Sequence, residues 1–135
     1  MGKFIYQSDV LLSMEEIDNL IQMKKDCLER CPWHKQTNID KLFKFVQEEM
    51  QELTEALEKD DHKNIQEELG DMFWVLVSLG VHLEKEGKIN FKESIDQTHK
   101  KIKNRLKHVY GKAKAITPDD AVQIWIKTKE EEKNG

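Results

Sequence analysis

The sequence predicts an all-α protein, an antiparallel bundle of four to five helices that oligomerises through helix packing. Three observations carry that expectation. Apolar residues recur three and four apart along most of the 135-residue chain, the spacing that gathers side chains on one face of a helix. Only two prolines interrupt the pattern, and 36% charged against 38% hydrophobic residues suits amphipathic helices with solvated outer faces. No stretch alternates polar and apolar residues for long enough to make a strand. The length fits a single domain, 1–135, with its core over about 15–130, large enough to be stable without disulfides.

The first helix is expected from about Ser13 to Arg30, with Leu20, Ile21 and Leu28 inward. Ser13 is its N-cap, and Glu16 three residues on completes a capping box. Cys31-Pro32-Trp33-His34 ends it, because a proline ring disfavours helical backbone in the residue before it, and a loop runs to about Asn38. The second helix covers roughly residues 39–59 with an apolar stripe of Leu42, Val46, Met50, Leu53 and Leu57. The third covers roughly 62–86 with Ile65, Leu69, Met72, Leu76, Leu79 and Leu83. Asp60-Asp61 is so short a connection that these two must be antiparallel neighbours, and Gly87 stops the third. Asn90, with Glu93 three residues later, caps a fourth helix through Ile95, Ile102, Leu106 and Val109 to Gly111. Thr117-Pro118-Asp119-Asp120 combines a cap, proline at the first helical position and first-turn acids. It starts a last helix through Ala121, Ile124, Trp125 and Lys129, whose end is expected to fray.

A net charge of −4 argues against a general nucleic-acid binder, which would carry a basic surface excess. The longest apolar run, Met72 to Leu83, is broken by Ser78, Gly80 and His82 and is too short to span a bilayer. No basic segment followed by a long apolar one opens the chain, so a cytoplasmic location is expected. Cys27 and Cys31 are expected to be reduced. With His34 they give three zinc candidates but no fourth, which favours ordinary packing.

Two acidic clusters point to chemistry: Glu48-Glu49-Met50-Gln51-Glu52 and Glu68-Leu69-Gly70-Asp71. At about 100° per residue, Glu49 falls inside the apolar face of its helix, Glu52 at its edge and Glu48 further round. Glu68 falls beside Val75 and Leu79, with Asp71 at the margin. A carboxylate facing the core must be neutralised, paired or metal-bound, since uncompensated burial of charge costs several kcal/mol. Both clusters lie at similar distances from the Asp60-Asp61 turn and are expected to meet. Oxygen ligands alone favour Mg2+, with Mn2+ as a substitute, and Mg2+ in turn suggests phosphate. Lys101 and Arg105, four apart, with His108 on the same side, supply cations for such a ligand. Trp125 followed by Lys129 repeats the theme with an aromatic surface suited to a base.

In these residues the chain resembles the MazG family of all-α nucleoside triphosphate pyrophosphohydrolases, related to the dimeric dUTPases. The signature Glu-Glu-x-x-Glu followed by Glu-x-x-Asp stands at Glu48, Glu49, Glu52, Glu68 and Asp71. Cys31-Pro32-Trp33, Gln36-Thr37 and His108-Val109-Tyr110-Gly111 agree as well, over about Leu28 to Lys129. The resemblance implies Mg2+ ligands at Glu49, Glu52, Glu68 and Asp71, and a water-activating role for Glu48. It implies triphosphate contacts from Lys101 and Arg105, and substrate contacts from Trp125, Lys129 and Trp33. It further implies hydrolysis of NTPs or dNTPs to the monophosphate and pyrophosphate, in a homodimer or homotetramer. His34 departs from the family, many of whose members carry aspartate after Cys-Pro-Trp. Two other functions compete. A di-iron bundle needs Glu-x-x-His pairs, and the nearest form, Asp96-x-x-His99, lies away from both acidic clusters. A non-catalytic nucleotide-binding or scaffold bundle shares the same ligands without turnover.

Overall fold

The computed structural model describes residues 14–135, as helices joined by short connections and with no strand among them. These are α1 (Met14–Arg30), α2 (Pro32–Gln36), α3 (Ile39–Glu58), α4 (His62–Lys85), α5 (Phe91–Arg105), α6 (Lys107–Tyr110) and α7 (Pro118–Asn134). The all-α expectation holds; the two additional segments, α2 and α6, are single short turns of helix. The expected Ser13 cap lies outside the described residues. The chain divides into two compact units, residues 1–88 and 89–135.

In the first unit α3 and α4 form the expected antiparallel hairpin, with α1 packed on α4 and α2 folded back on α1. Local chemistry fixes its ends. Asn38 caps α3 by accepting from the Lys41 backbone N–H at 2.9 Å, and Asp61 caps α4 by accepting from that of Asn64 at 3.3 Å. Between the helices Asp60 takes a left-handed φ of 50°, a conformation that aspartate tolerates better than most side chains. Gly87, at φ 75°, ends α4 as the sequence indicates.

Leu28, Leu42, Ala56, Val75, Val77 and Val81 form the apolar core, together with buried Ser78 and Gly80. This face is rotated from the one that the apolar stripes predict. Met50, Leu57, Leu69 and Leu76 are expected inward, yet they are 54%, 57%, 49% and 46% exposed. The reason is steric. Small and β-branched residues permit close approach of two helices, so they occupy the contact, while a helix as apolar as α4 offers bulky side chains on its outer side too. Spacing alone could not choose between these faces. It also missed Lys24, which is 0% exposed, with its Nζ 2.7 Å from His34 Nδ1.

In the second unit α5 and α7 pack together and α6 joins them. Asn90 caps α5 through the Glu93 N–H at 2.9 Å. Thr117 and Asp120 form a reciprocal capping box at the start of α7. The Asp120 carboxylate also accepts from the Ile116 N–H, and these backbone bonds hold its pKa below the ordinary value. The single helix expected as far as Gly111 is broken at Leu106, whose backbone (φ −98°, ψ 54°) leaves the helical region. Gly111 admits no side chain: a Cβ there would sit 2.9 Å from the Lys107 carbonyl oxygen. Beyond Lys129, where fraying is expected, α7 is assigned as helix to Asn134. Glu132 is gripped by Arg105 (Nη2 to Oε2, 3.0 Å) and Asn104 (Nδ2 to Oε1, 2.9 Å). Among the described residues no helix is long and apolar enough to cross a membrane.

Leu42 is the most deeply buried of these core side chains, at 2% exposure. Leu42→Ala is expected to cost about 2–5 kcal/mol, as core truncations do. Urea unfolding followed by circular dichroism checks it; a loss under about 0.5 kcal/mol, the range of surface substitutions, contradicts the assigned core.

Candidate functional site

The hairpin brings the two acidic clusters together. One carboxylate oxygen each from Glu49 on α3 and from Glu68 and Asp71 on α4 lie within 4.8 Å of one another. Glu52, one turn beyond Glu49, reaches both Glu49 and Glu68. Glu48 is exposed on α3 and stands outside the group of three.

Glu49 Oε2 and Glu68 Oε2 are buried without a hydrogen-bond donor. Their mutual approach is acceptor to acceptor, and it becomes a hydrogen bond only if one of them carries a proton. Burial, followed by the charges of Glu52 and Asp71, pushes Glu49 above its ordinary pKa of 4.5. Contact with Glu68, and then that residue's charge, raises Glu52; contact with Glu49 is the leading cause for Glu68. Like charges gathered in a partly desolvated place favour whichever species neutralises them. At low pH that species is a proton, and near neutrality it is a cation. The orphaned oxygens, all hard donors with neither histidine nor thiolate among them, fit a divalent cation of the Mg2+ or Mn2+ type.

Beside the acids lies an aromatic cluster within the same unit. Trp33 from α2 meets Phe45 of α3 with ring centroids 5.7 Å apart and tilted by 36°. His34 stands edge-on to both Trp33 (4.8 Å) and Trp74 of α4 (6.1 Å). The Lys41 ammonium lies 5.9 Å above the Trp33 ring, which is 45% exposed. Phe45 precedes Glu49 by one turn of α3, and Trp74 follows Asp71 by one turn of α4, so this cluster borders the acids along the hairpin. Phe45 and Trp74 escaped the sequence reading. Their spacing from Glu49 and Asp71 could have disclosed them.

The second unit holds the other expected site residues. Arg105 stacks on Trp125 at 5.4 Å and makes a two-pronged ion pair with Glu132, with Nε also 3.2 Å from Oε2. Glu132 is held below its ordinary pKa, first by Arg105 and then by Asn104. Arg105 is therefore engaged by a carboxylate, a partner that sequence spacing did not indicate. Lys101 and Lys129 are exposed, and His108 is half-buried, its Nδ1 buried without a partner.

With this geometry in hand, comparison with known families is decisive. The model of the MazG nucleotide pyrophosphohydrolase domain matches residues 37–110, more than half of the chain and both acidic clusters. The chain belongs to the MazG family. Over 123 residues it is 26% identical to the nucleoside triphosphate pyrophosphohydrolase of Escherichia coli K12, covering 89% of this chain and 47% of that protein. Over 107 residues it is 33% identical to the Bacillus subtilis protein YabN, covering 77% of this chain and 21% of that one. The chain thus spans about half, or less, of the length of these relatives. The crystal structure of a MazG-related protein from Thermotoga maritima superposes with a TM-score of 0.76 at 26% identity, covering 84% of this chain and 98% of that one.

The acids' raised pKa values fix a sign. The folded cluster binds protons more tightly than the unfolded chain, so the stability it contributes is present at low pH. It is lost as pH rises from 4.5 through the folded values. Metal-free Glu49→Gln/Glu68→Gln protein is therefore expected to melt higher than the parent at neutral pH, and the gain should shrink toward zero near pH 4, about where carboxyls protonate. Scanning calorimetry in chelator reads this, and a double variant that melts lower at neutral pH refutes mutual repulsion in the cluster.

Proposed function

We propose that this chain hydrolyses nucleoside or deoxynucleoside triphosphates to the monophosphate and pyrophosphate, with Mg2+ held by Glu49, Glu52, Glu68 and Asp71. Mn2+ is the expected substitute. The single observation that supports this reading most is the pair of buried, donorless oxygens of Glu49 and Glu68, which a cation satisfies. Family membership and the name of the Escherichia coli relative supply the reaction class.

When bound, a divalent cation screens the triphosphate's negative charge and favours attack at phosphorus. The chain's own residues do the rest. The four carboxylates orient the cation, and Glu48, exposed beside them on α3, accepts a proton from the attacking water. Trp33 offers an open ring face to a nucleobase, supported by its aromatic neighbours. The family resemblance further assigns phosphate contacts to Lys101 and Arg105 and substrate contacts to Trp125 and Lys129. For Arg105 that role requires exchanging Glu132 for phosphate, a substitution of one bidentate anion by another.

A homodimer or homotetramer is the accompanying proposal. Phe43, Met50 and Leu57, seven apart on α3, and Leu69, Phe73 and Leu76 on α4 are large apolar side chains left exposed. An open apolar groove of about 320 Å3 lined by Ile17, Leu20, Leu69 and Phe73 adds to them. Such area on a small helical unit suits burial against a second copy. A cytoplasmic role in clearing unwanted nucleotides from the pool fits the activity.

Pyrophosphate release from a panel of canonical and modified NTPs, with and without Mg2+, tests the function. Metal-dependent release is expected, and Glu52→Gln or Glu68→Gln should lower kcat/KM by about a hundredfold or more, as loss of a metal site does. No release from any nucleotide turns the reading toward a non-catalytic binding bundle, and unchanged turnover in both variants removes the metal assignment.

A further inference from the structure

A buried lysine ordinarily has a carboxylate partner, because an unpaired charge in a desolvated place is costly. Lys24 instead has His34, with its Nζ 2.7 Å from the ring's Nδ1. The neighbours that act on its charge are the thiols of Cys27 and Cys31 and the ammonium of Lys85. While Lys24 is charged its ammonium has only hydrogens to offer, so at 2.7 Å it donates to Nδ1. An imidazole that accepts at Nδ1 carries its own hydrogen on Nε2. The ring so fixed stands edge-on between Trp33 and Trp74. It also belongs to the turn in which Thr37 Oγ1 donates to the Trp33 carbonyl at 2.9 Å.

We infer that Lys24 is a positioning residue: through the neutral, Nε2–H form of His34 it holds the Trp33 turn against α1, and protonation of His34 releases that turn. The substrate consequence rests on the proposed role of Trp33; the attachment itself does not. A protonated His34 can no longer accept at Nδ1, and it sets a second cation against a fully buried ammonium. On α4 Lys85 adds positive charge, and His82 is paired with Glu86 at 3.4 Å; on α3 the Lys41 ammonium lies over Trp33; on α1 and its end the Cys27 and Cys31 thiols favour the charged form of Lys24. Burial and the Lys24 charge depress the His34 pKa from 6.5, so the neutral form persists at neutral pH and the attachment is lost as pH falls below 6.5 through the folded value. Aspartate at this position would keep its negative charge across that range, making the attachment independent of pH.

The test uses the full chain, with His34→Asp and Lys24→Met. Long-range proton–nitrogen NMR of the histidine rings at pH 7.5 is expected to show His34 as the Nε2–H tautomer, and Lys24→Met should turn it into a tautomer mixture. In turnover, KM of the parent should climb by up to about tenfold per pH unit once His34 protonates, the slope of one titrating group, with kcat changing far less. For His34→Asp, KM should climb distinctly less over the same range. An Nδ1–H or charged His34 at pH 7.5, or equal pH dependence of KM in parent and His34→Asp, overturns the inference. If no nucleotide is turned over, the NMR result still decides the attachment while the function fails separately.

Discussion

Everything in the first unit is arranged around two carboxylate oxygens that have nothing to bond to. Glu49 Oε2 on α3 and Glu68 Oε2 on α4 are both buried without a hydrogen-bond partner, in an acidic group whose oxygens lie within 4.8 Å of one another. Two acceptors cannot satisfy one another, and the fold holds them together only because the remaining contacts of the hairpin outweigh their repulsion. Leu42, Ala56, Val75, Val77 and Val81 supply the apolar burial, and Ser78 and Gly80 are buried as well. The strain is local and carries its own remedy, a proton in acid or a cation near neutrality. Groups so perturbed gather where chemistry is done.

The hairpin also sets what lies next to the acids. Because Phe45 and Trp74 are one turn from Glu49 and Asp71, the register that joins the acidic clusters also brings an aromatic wall beside them. The wall is completed by Trp33 from the short α2 turn, tied to α1 through His34 and Lys24. The proposed metal-triphosphate site and its proposed base-stacking surface thus depend on one register, and a slip of α4 along α3 would separate the acids and the aromatic wall alike.

Much of this was legible in the sequence. Asn90, Asp61, Thr117 and Gly87 announce helix ends by the chemistry of their own side chains or backbone, and the short Asp60-Asp61 link dictates an antiparallel pair that brings the acids face to face. What escaped was tertiary. The periodicity of α3 and α4 could not say which of their apolar faces is inward, so Met50 and Leu57 on α3 and Leu69 and Leu76 on α4 were expected inside and stand half-exposed. The capture of Arg105 and the end of α7 by Glu132 depends on the pairing of α5 with α7, which no local pattern records. Lys24 reads as a surface charge until His34 is seen at its ammonium.

The central claim, that the donorless oxygens of Glu49 and Glu68 are made to hold a divalent cation, is tested most directly by binding alone. Titration of metal-free protein with Mn2+, followed by electron paramagnetic resonance of the free ion, is predicted to show saturable binding that Glu68→Gln weakens severely while Glu58→Gln, at an exposed glutamate closing α3 and outside the acidic group, leaves it intact. Equal binding by parent and Glu68→Gln protein would contradict the account.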